Sequence, residues 1–425
     1  MKKSKNILAN ATVIGALVMQ ATVSNAQPGP SAELFSKEAI HPFRVNVSKK
    51  EIGNLKHRLL EARLPDKETV SDQSQGVQLA TMQKLIRYWA TGYNWRKAEA
   101  KLNALPQFVT NIDGVDIHFI HVRSKEKNAL PVIITHGWPG SIFEELKLIG
   151  PLTDPVAYGG KAEDAFDVVI PSMPGYGFSG KPSSIGWNTD RIARAWDTLM
   201  KRLGYSRYVS QGGDWGAKVS EAMAHLAPQG LLGVHMNLLL TLPPEVSRAA
   251  ALFQPAPENF SEEEKLAYNQ RRMLNAGYLL VQNTRPQTIG YSLAESPVGL
   301  AAWLLDHDPH SYEQLAKAFE GNPDGELTRD EFLDNISLYW FTNTGASAAR
   351  LYWENARIVY KGDVSVPATF TVFPGELWQA PRSWVEKAFK NLIYYNKVDK
   401  GGHFAAWEQP QLFAEEMRSA FRSLR

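Results

Sequence analysis

The 425-residue chain contains no cysteine. This absence excludes disulfide bonds, thiolate metal sites and a cysteine nucleophile. The chain also lacks a large excess of either charge, with 46 lysines and arginines against 44 acidic residues. The charge balance therefore gives no reason to expect nucleic-acid binding or attachment to an anionic membrane. Beyond the N-terminus no apolar stretch is long enough to span a bilayer. The remaining composition, 44% apolar and 21% charged, is ordinary for a globular protein.

The first 26 residues are typical of a signal peptide. Three lysines within the first five residues precede an apolar run from Ile7 to about Val23, and Ser24-Asn25-Ala26 follows. This order matches a basic n-region, an h-region and a small-x-small cleavage site. We expect cleavage after Ala26, a linker at 27–40, no membrane span in the mature chain, and a secreted or periplasmic location. Cleavage would change the formal net charge from +2 to −1, because it removes three lysines. An uncleaved anchor is the alternative.

Hydrophobic periodicity divides the rest of the chain into four segments. Residues 41–107 show helical spacing, and Ser48 with Glu51 forms a predicted capping box. Apolar β-branched runs alternate with helical stretches over 108–242 and return over 346–425, which predicts a mostly parallel, doubly wound α/β core in two parts. Between them, 243–345 lacks strand patterns and predicts an inserted helical cap.

Gly212-Gly213-Asp214-Trp215-Gly216 carries the clearest chemical signal. It lies between an apolar strand-like segment and a helical run, and it matches the small-x-nucleophile-x-small pattern of a nucleophile elbow. The residue at the nucleophile position is an aspartate, and a carboxylate needs no base to activate it. Attack by Asp214 at carbon gives an alkyl ester, which favours hydrolysis at an sp3 carbon, as in epoxides or haloalkanes. A plain Gly-rich turn is the simpler interpretation of the pentapeptide alone.

Two backbone donors are predicted around Asp214. His136-Gly137-Trp138-Pro139-Gly140-Ser141 directly follows the apolar strand that contains Ile133 and Ile134. In elbow enzymes this loop and the residue after the nucleophile supply the N–H groups of an oxyanion hole. These positions are Trp138 and Trp215 here.

His403 is the predicted base and Glu376 its predicted partner. Hydrolysis of an ester on Asp214 needs a base, and histidine suits neutral pH. His403 is the histidine that follows the last strand-like segment, in Gly401-Gly402-His403-Phe404. Glu376 follows the strand-like run that ends at Phe373, whereas Asp399 is closer in sequence but precedes the glycine loop. We prefer Glu376 and keep Asp399 as the alternative.

Taken together, these ordered motifs resemble the epoxide hydrolases of the α/β-hydrolase superfamily, in the microsomal-type branch. Further blocks match the same family, Pro42-Phe43-Arg44-Val45 near the start and the loop from Pro171 to Ser179. The resemblance implies an α/β-hydrolase fold with an epoxide hydrolase N-terminal region at 41–107. It also implies that two cap tyrosines bind and protonate the epoxide oxygen, and Tyr278 and Tyr339 match them.

The resulting hypothesis is an epoxide hydrolase that needs no cofactor and no metal and acts on a small-molecule epoxide. Trp303, Trp340 and Phe341 suggest an apolar pocket in the cap. Two alternatives remain: a haloalkane-type dehalogenase, which shares an aspartate elbow, and a non-catalytic secreted binding protein on the same scaffold. A homodimer is left open.

Overall fold

The computed structural model describes residues 38–252, 254–274, 277–321, 327–358, 360 and 364–425. The predicted signal peptide and most of the predicted linker lie outside the described residues. Among the described residues, no helix is both long and apolar enough to cross a membrane.

Three helices and a short strand open the described chain. They are β1 (His41–Pro42), α1 (Lys49–Leu60), α2 (Leu79–Thr91) and α3 (Trp95–Asn103). The predicted capping box is present: the Ser48 hydroxyl accepts from the Glu51 N–H, and the Glu51 carboxylate accepts from the Ser48 N–H. Asn94 caps α3 with a single side-chain hydrogen bond, which it accepts from the Arg96 N–H. Local sequence therefore fixes where these helices begin.

One sheet forms the centre of the described structure. Its further strands are β2 (Gln107–Ile112), β3 (Val115–Val122), β4 (Leu130–Thr135), β5 (Phe166–Pro171), β6 (Tyr208–Gly212), β7 (Leu231–Met236), β8 (Ala368–Val372) and β9 (Leu392–Lys397). The strand order is β1-β2-β3-β5-β4-β6-β7-β8-β9. The strands β5, β4, β6, β7, β8 and β9 pair in parallel with their neighbours in this order. The pairs β1–β2, β2–β3 and β3–β5 are antiparallel. The predicted mostly parallel sheet is confirmed.

Strand sequences explain which parts of the sheet are covered. Val132, Ile133 and Ile134 in β4 are all fully buried. Successive side chains point to opposite faces, so both faces of β4 are covered by other elements. The β2–β3 hairpin turns at Asp113-Gly114, where both residues have positive φ (59° and 84°). These angles are those of the tight turn that Asp-Gly favours between antiparallel strands.

The helices between and after the strands are α4 (Ile149–Thr153), α5 (Thr189–Arg202), α6 (Asp214–Leu226), α15 (Arg382–Ala388), α16 (Ala405–Glu408) and α17 (Pro410–Ala420). The C-terminal helix α17 ends at Ala420, and a 3-10 turn, Arg422–Leu424, follows. α17 packs on β8 and β9. α6 begins directly at the end of β6, so the chain turns sharply between them.

A helical insertion separates β7 from β8. It contains α7 (Pro244–Ala251), α8 (Glu262–Met273), α9 (Gly277–Thr284), α10 (Pro286–Glu295), α11 (Pro297–Leu305), α12 (Pro309–Glu320), α13 (Arg329–Thr342) and α14 (Gly345–Asn355). α14 packs on α9 and α10, so the helical segment continues past the boundary that we place at residue 345.

The N-terminal helices hold α13 in place. The Trp89 indole N–H donates to Ser337 Oγ over 2.9 Å, and the Tyr93 hydroxyl donates to Asp334 Oδ1 over 2.8 Å. Lys101 pairs with the same Asp334 carboxylate at 3.0 Å. Because Asp334 is buried, this pair and the tyrosine bond satisfy a charge that would otherwise be costly. α13 is thereby fixed above the sheet, next to the loop that follows β4.

Candidate active site

The turn between β6 and α6 presents Asp214. This residue has φ 46°, in the left-handed region, and it is 9% exposed. A non-glycine residue in this region carries strain, which is typical of functional turns. α6 begins at Asp214, so the carboxylate also lies at the positive end of the helix dipole. The predicted elbow is therefore present, and the residue at its nucleophile position is the acid.

Close backbone contacts around Asp214 require small residues. A Cβ on Gly216 would lie 1.8 Å from the Thr135 carbonyl oxygen in β4, and a Cβ on Gly212 would lie 2.1 Å from the Gly216 backbone in α6. Both obstacles are main-chain atoms, so no rotamer change removes the clash. Glycine at 216 allows α6 to approach β4, and glycine at 212 allows the end of β6 to lie against the first turn of α6.

We expect Gly216→Ala to lower the free energy of unfolding by about 3 kcal/mol, because the added methyl group must push α6 away from β4. Gly53→Ala in α1 is the matched control, since a Cβ there meets nothing within 4 Å. Its alanine should stabilise the helix by roughly 0.5–1 kcal/mol. Denaturant unfolding followed by circular dichroism measures both. An equal effect of the two substitutions would contradict the close approach of α6 and β4.

The predicted oxyanion loop reaches Asp214 through Trp138. The Trp138 backbone N–H donates to Asp214 Oδ1 over 2.8 Å. The loop is fixed from above by α13, because Asn335 Nδ2 donates to the Pro139 carbonyl and the Tyr339 hydroxyl donates to the Gly140 carbonyl, each over 2.8 Å. The Trp138 donor is consequently held rigidly, as stabilisation of a developing negative charge requires.

The other predicted donor, Trp215, lies in the first turn of α6. Backbone N–H groups in this turn have no helical acceptor, so they are free to face a bound oxygen. The Trp215 indole stands edge-on to Tyr352, with 4.7 Å between the ring centres. This contact connects the nucleophile turn to α14.

His403 and Glu376 form the predicted pair. Nδ1 of His403 lies 2.6 Å from Oε1 of Glu376, and Nε2 lies 4.0 Å from Oδ2 of Asp214. The Leu377 N–H donates to the same Glu376 oxygen over 2.8 Å, and Asn237 Nδ2 lies 3.4 Å from the other one. The structure thus places Glu376 next to His403, and the other nitrogen of the imidazole faces Asp214.

The charges around His403 control its protonation. Burial alone would lower the pKa of the imidazole, but the carboxylates of Glu376, Asp214 and Asp308 raise the pKa to about 10. His403 is therefore cationic at neutral pH. Because the charge of Asp214 contributes to this shift, loss of that charge would lower the pKa of His403.

Tyr278 lies at the site, as predicted. It is 5% exposed and stacks on the Trp138 indole with 4.9 Å between ring centres. Burial first, and then the Asp214 charge, raise the pKa of its phenol well above the usual value. The group therefore stays protonated and can donate a hydrogen bond.

The structure places Tyr339 outside the cavity, which corrects its predicted role as a proton donor. Its hydroxyl is committed to the Gly140 carbonyl, and its ring packs on Tyr176. Tyr352, which the sequence reasoning missed, takes the expected place. It stands edge-on to Trp138 at 5.8 Å, and its centre is 6.2 Å from that of Tyr278. Burial, followed by Tyr278 and Asp214, raises the pKa of its phenol well above the usual value.

A cavity of about 340 Å³ connects these groups. Its lining includes Asp214, Trp215, Tyr278 and Tyr352, the basic residues Lys218 and Arg271, and the apolar side chains of Leu240, Leu274, Leu279, Leu377 and Trp378. This size and lining are typical of small-molecule sites. The three aromatic residues that suggested a pocket lie elsewhere: Trp303 donates to Gln282, Trp340 contacts Arg58, and Phe341 packs on Trp95.

A second imidazole, which we did not predict, lies next to His403 and Tyr278. The ring of His307 lies 4.5 Å from that of His403 and 5.1 Å from that of Tyr278, measured between ring centres. His307 lies just after α11, in Asp306-His307-Asp308, and no spacing rule connects this tripeptide to the elbow. Only the packing of the helical insertion over the sheet brings it to Asp214.

Two family models match the chain. A model described as epoxide hydrolase N terminus matches residues 40–145, and one described as alpha/beta hydrolase fold matches residues 131–265. The first match extends beyond the boundary that we place at residue 107 and includes β4 and the Trp138 loop. Together the two models span the N-terminal helices and the first part of the core.

Similar proteins and structures agree with these matches. A Stigmatella aurantiaca protein, provisionally named an epoxide hydrolase, is 52% identical over 91% of this chain and 86% of its own. Epoxide hydrolase 1 of Sus scrofa is 37% identical over 92% of this chain and 90% of its own. The crystal structure of juvenile hormone epoxide hydrolase from the silkworm Bombyx mori superimposes with a TM-score of 0.78 at 29% identity, covering 91% of this chain and 95% of that one.

The predicted family, fold and enzyme class are therefore confirmed. The full-length similarity, the family matches and the mostly parallel sheet with its helical insertion lead to one assignment. The chain belongs to the epoxide hydrolase family of the α/β-hydrolase fold.

Proposed function

We propose that this enzyme converts an epoxide and water to a vicinal diol through a covalent ester on Asp214. Trp138 binds Oδ1, which leaves Oδ2 as the attacking oxygen. Attack forms an O–C bond and breaks the C–O bond of the epoxide, and the released oxygen takes a proton from Tyr278 or Tyr352. Burial raises the pKa of both phenols, and the Asp214 charge raises it further. They become stronger acids as attack consumes that charge.

The second half of the proposed reaction uses His403. Its imidazole removes one proton from water, whose oxygen bonds to Cγ of Asp214, and the Trp138 and Trp215 amides stabilise the oxyanion. The ester C–O bond then breaks, and the proton on His403 passes to the leaving alkoxide. The remaining water proton returns to the phenolate through solvent. The observation that supports this route most directly is the arrangement of Glu376, His403 and Asp214 in series.

Oxygen-18 labelling tests the covalent route. In a single turnover in labelled water, the label should enter the Asp214 carboxylate, and the diol should contain an oxygen that Asp214 held before. Peptide mass spectrometry locates the label. Asp214→Ala is the control, because it lacks the nucleophile and should form no diol. Direct transfer of labelled oxygen to the diol, with Asp214 unlabelled, would reject the ester.

Export is a further proposal. The basic start, apolar run and small-x-small site within residues 1–26 support a signal peptide with cleavage after Ala26. The mass of the chain purified after expression in a Gram-negative host, from periplasm and from membrane, tests this. A chain recovered only from the membrane at its full mass would reject cleavage.

A further inference from the structure

We propose that Asp214, His307 and His403 form an inhibitory binding site for a divalent transition-metal ion such as Zn²⁺. One ligand atom from each of these three residues lies within 4.8 Å of the other two, and all three side chains are buried. Two imidazoles and one carboxylate are a common catalytic-type zinc set, with a fourth position left for water. Zinc–ligand bonds of about 2.0–2.2 Å would require the three atoms to approach by roughly 1 Å.

The two imidazoles are prepared for a metal in the same way. His403 Nδ1 is held by Glu376 at 2.6 Å, and His307 Nδ1 is held by Asp308 at 2.9 Å. A histidine that ligates zinc usually has its other nitrogen bound to a carboxylate, which fixes the ring and makes the free nitrogen a better ligand. Asp308 is itself fixed, because its other oxygen caps α12 through the Ser311 N–H at 2.8 Å.

A second observation, independent of the clustering, also points to a bound ligand at His307. The residue is 1% exposed, and its Nε2 is buried with no hydrogen-bond partner among the described residues. An unpaired buried polar atom is unfavourable. The proposed mechanism of epoxide opening assigns this nitrogen no task. A metal shared with Asp214 and His403 would satisfy it.

The carboxylates at the site favour a cation. Asp214 offers one carboxylate oxygen, and the carboxylates of Glu376 and Asp308 each contact Nδ1 of one imidazole. A metal ion would displace the proton that His403 carries at neutral pH, because ligation needs a neutral imidazole. Another cavity, of about 420 Å³, is lined by His307, Asp308 and Asp306 together with residues 73–77, so it borders the proposed site on the side of His307.

Calorimetric titration of zinc chloride into the full-length, chelator-treated enzyme tests the site. We expect one zinc per chain, an affinity at least 10-fold weaker in His307→Asn, and one roughly 10–100-fold weaker in Asp308→Asn. His57→Asn is the matched control. His57 also has a carboxylate partner, Glu61 at 3.1 Å, but it is exposed on α1 and is not one of the proposed ligands. Equal affinities of wild type and His307→Asn, or no stoichiometric uptake, would overturn the proposal.

Enzyme assays separate this proposal from the proposed function. Bound zinc would occupy the Asp214 carboxylate and His403, so diol formation should fall with zinc and recover with chelator, and His307→Asn should need at least 10-fold more zinc for the same fractional loss. The inhibition assay rests on the proposed nucleophilic role of Asp214, whereas the calorimetric measurement of zinc binding does not. Zinc that binds through His307 without inhibiting would support the metal site but overturn both its inhibitory effect and the nucleophilic role of Asp214.

Discussion

Replacing His403 with glutamine is expected to stop the reaction at the ester on Asp214. Asp214, Tyr278 and Tyr352 remain in place, so the epoxide still opens, but no imidazole activates water. Loss of a general base typically lowers a rate 10²- to 10⁴-fold, and the steady-state formation of diol should fall by about 10³-fold. Each chain should gain the mass of one epoxide, on the peptide that contains Asp214.

The pH dependence of ester hydrolysis adds a sharper expectation. In the free enzyme three carboxylates raise the pKa of His403 to about 10. The ester removes the Asp214 charge, so the pKa of His403 is lower in the intermediate. Hydrolysis needs neutral imidazole, and its rate should therefore rise with pH and level off below pH 10. The residual rate in His403→Gln should lack this rise.

Rapid quenching and intact-protein mass spectrometry measure both expectations. Formation of one ester per chain serves as the folding control, since only an assembled site can carry out the first step. Normal diol formation by His403→Gln, or ester that decays at the wild-type rate, would contradict the assignment of the base.

Replacing both Tyr278 and Tyr352 with phenylalanine is expected to slow ester formation about 10³-fold or more, because the opening epoxide then lacks an acid. Each single variant should lose less, roughly 10- to 100-fold, since the other phenol still donates. The fluorescence of Trp138 and Trp215, which contact these rings, gives a readout of the alkylation step.

Tyr339→Phe is the matched control for the tyrosine pair. It removes a hydrogen bond to the buried Gly140 carbonyl, so it should cost about 1–3 kcal/mol of folding stability. Its effect on ester formation should be well below that of Tyr352→Phe. Full activity of the Tyr278/Tyr352 double variant would reject the phenols as donors.

Local chemistry explains why much of the structure was predictable. The capping box at Ser48 and the hairpin turn at Asp113-Gly114 depend on residues three or fewer positions apart. The elbow at Asp214 also depends on its immediate neighbours, because glycine alone permits the close approach of α6 and β4. Parallel strands bring the loops after β4 and β6 to one edge, so the sequence also predicts that Trp138 approaches Asp214.

The local sequence could not show which tyrosine, Tyr339 or Tyr352, faces the site. Leu338-Tyr339-Trp340 and Leu351-Tyr352-Trp353 are the same tripeptide on successive helices. Tyr339 on α13 points to the Gly140 carbonyl, whereas Tyr352 on α14 faces Trp138 and Trp215. The orientation of each helix against the core decides this difference, and it depends on contacts far away in the chain.

By itself, the sequence determined the strand and helix pattern, the strained turn at Asp214, and the positions of Asp214, Glu376 and His403 after strands of the sheet, because these depend on local backbone preferences and on strand direction. Only the tertiary structure decided which side chains of the helical insertion reach Asp214. It replaced Tyr339 with Tyr352, replaced the expected pocket aromatics with other apolar residues, and brought His307 beside His403. These contacts depend on how eight helices pack over the sheet in the described chain, and packing of that kind has no short-range sequence signal.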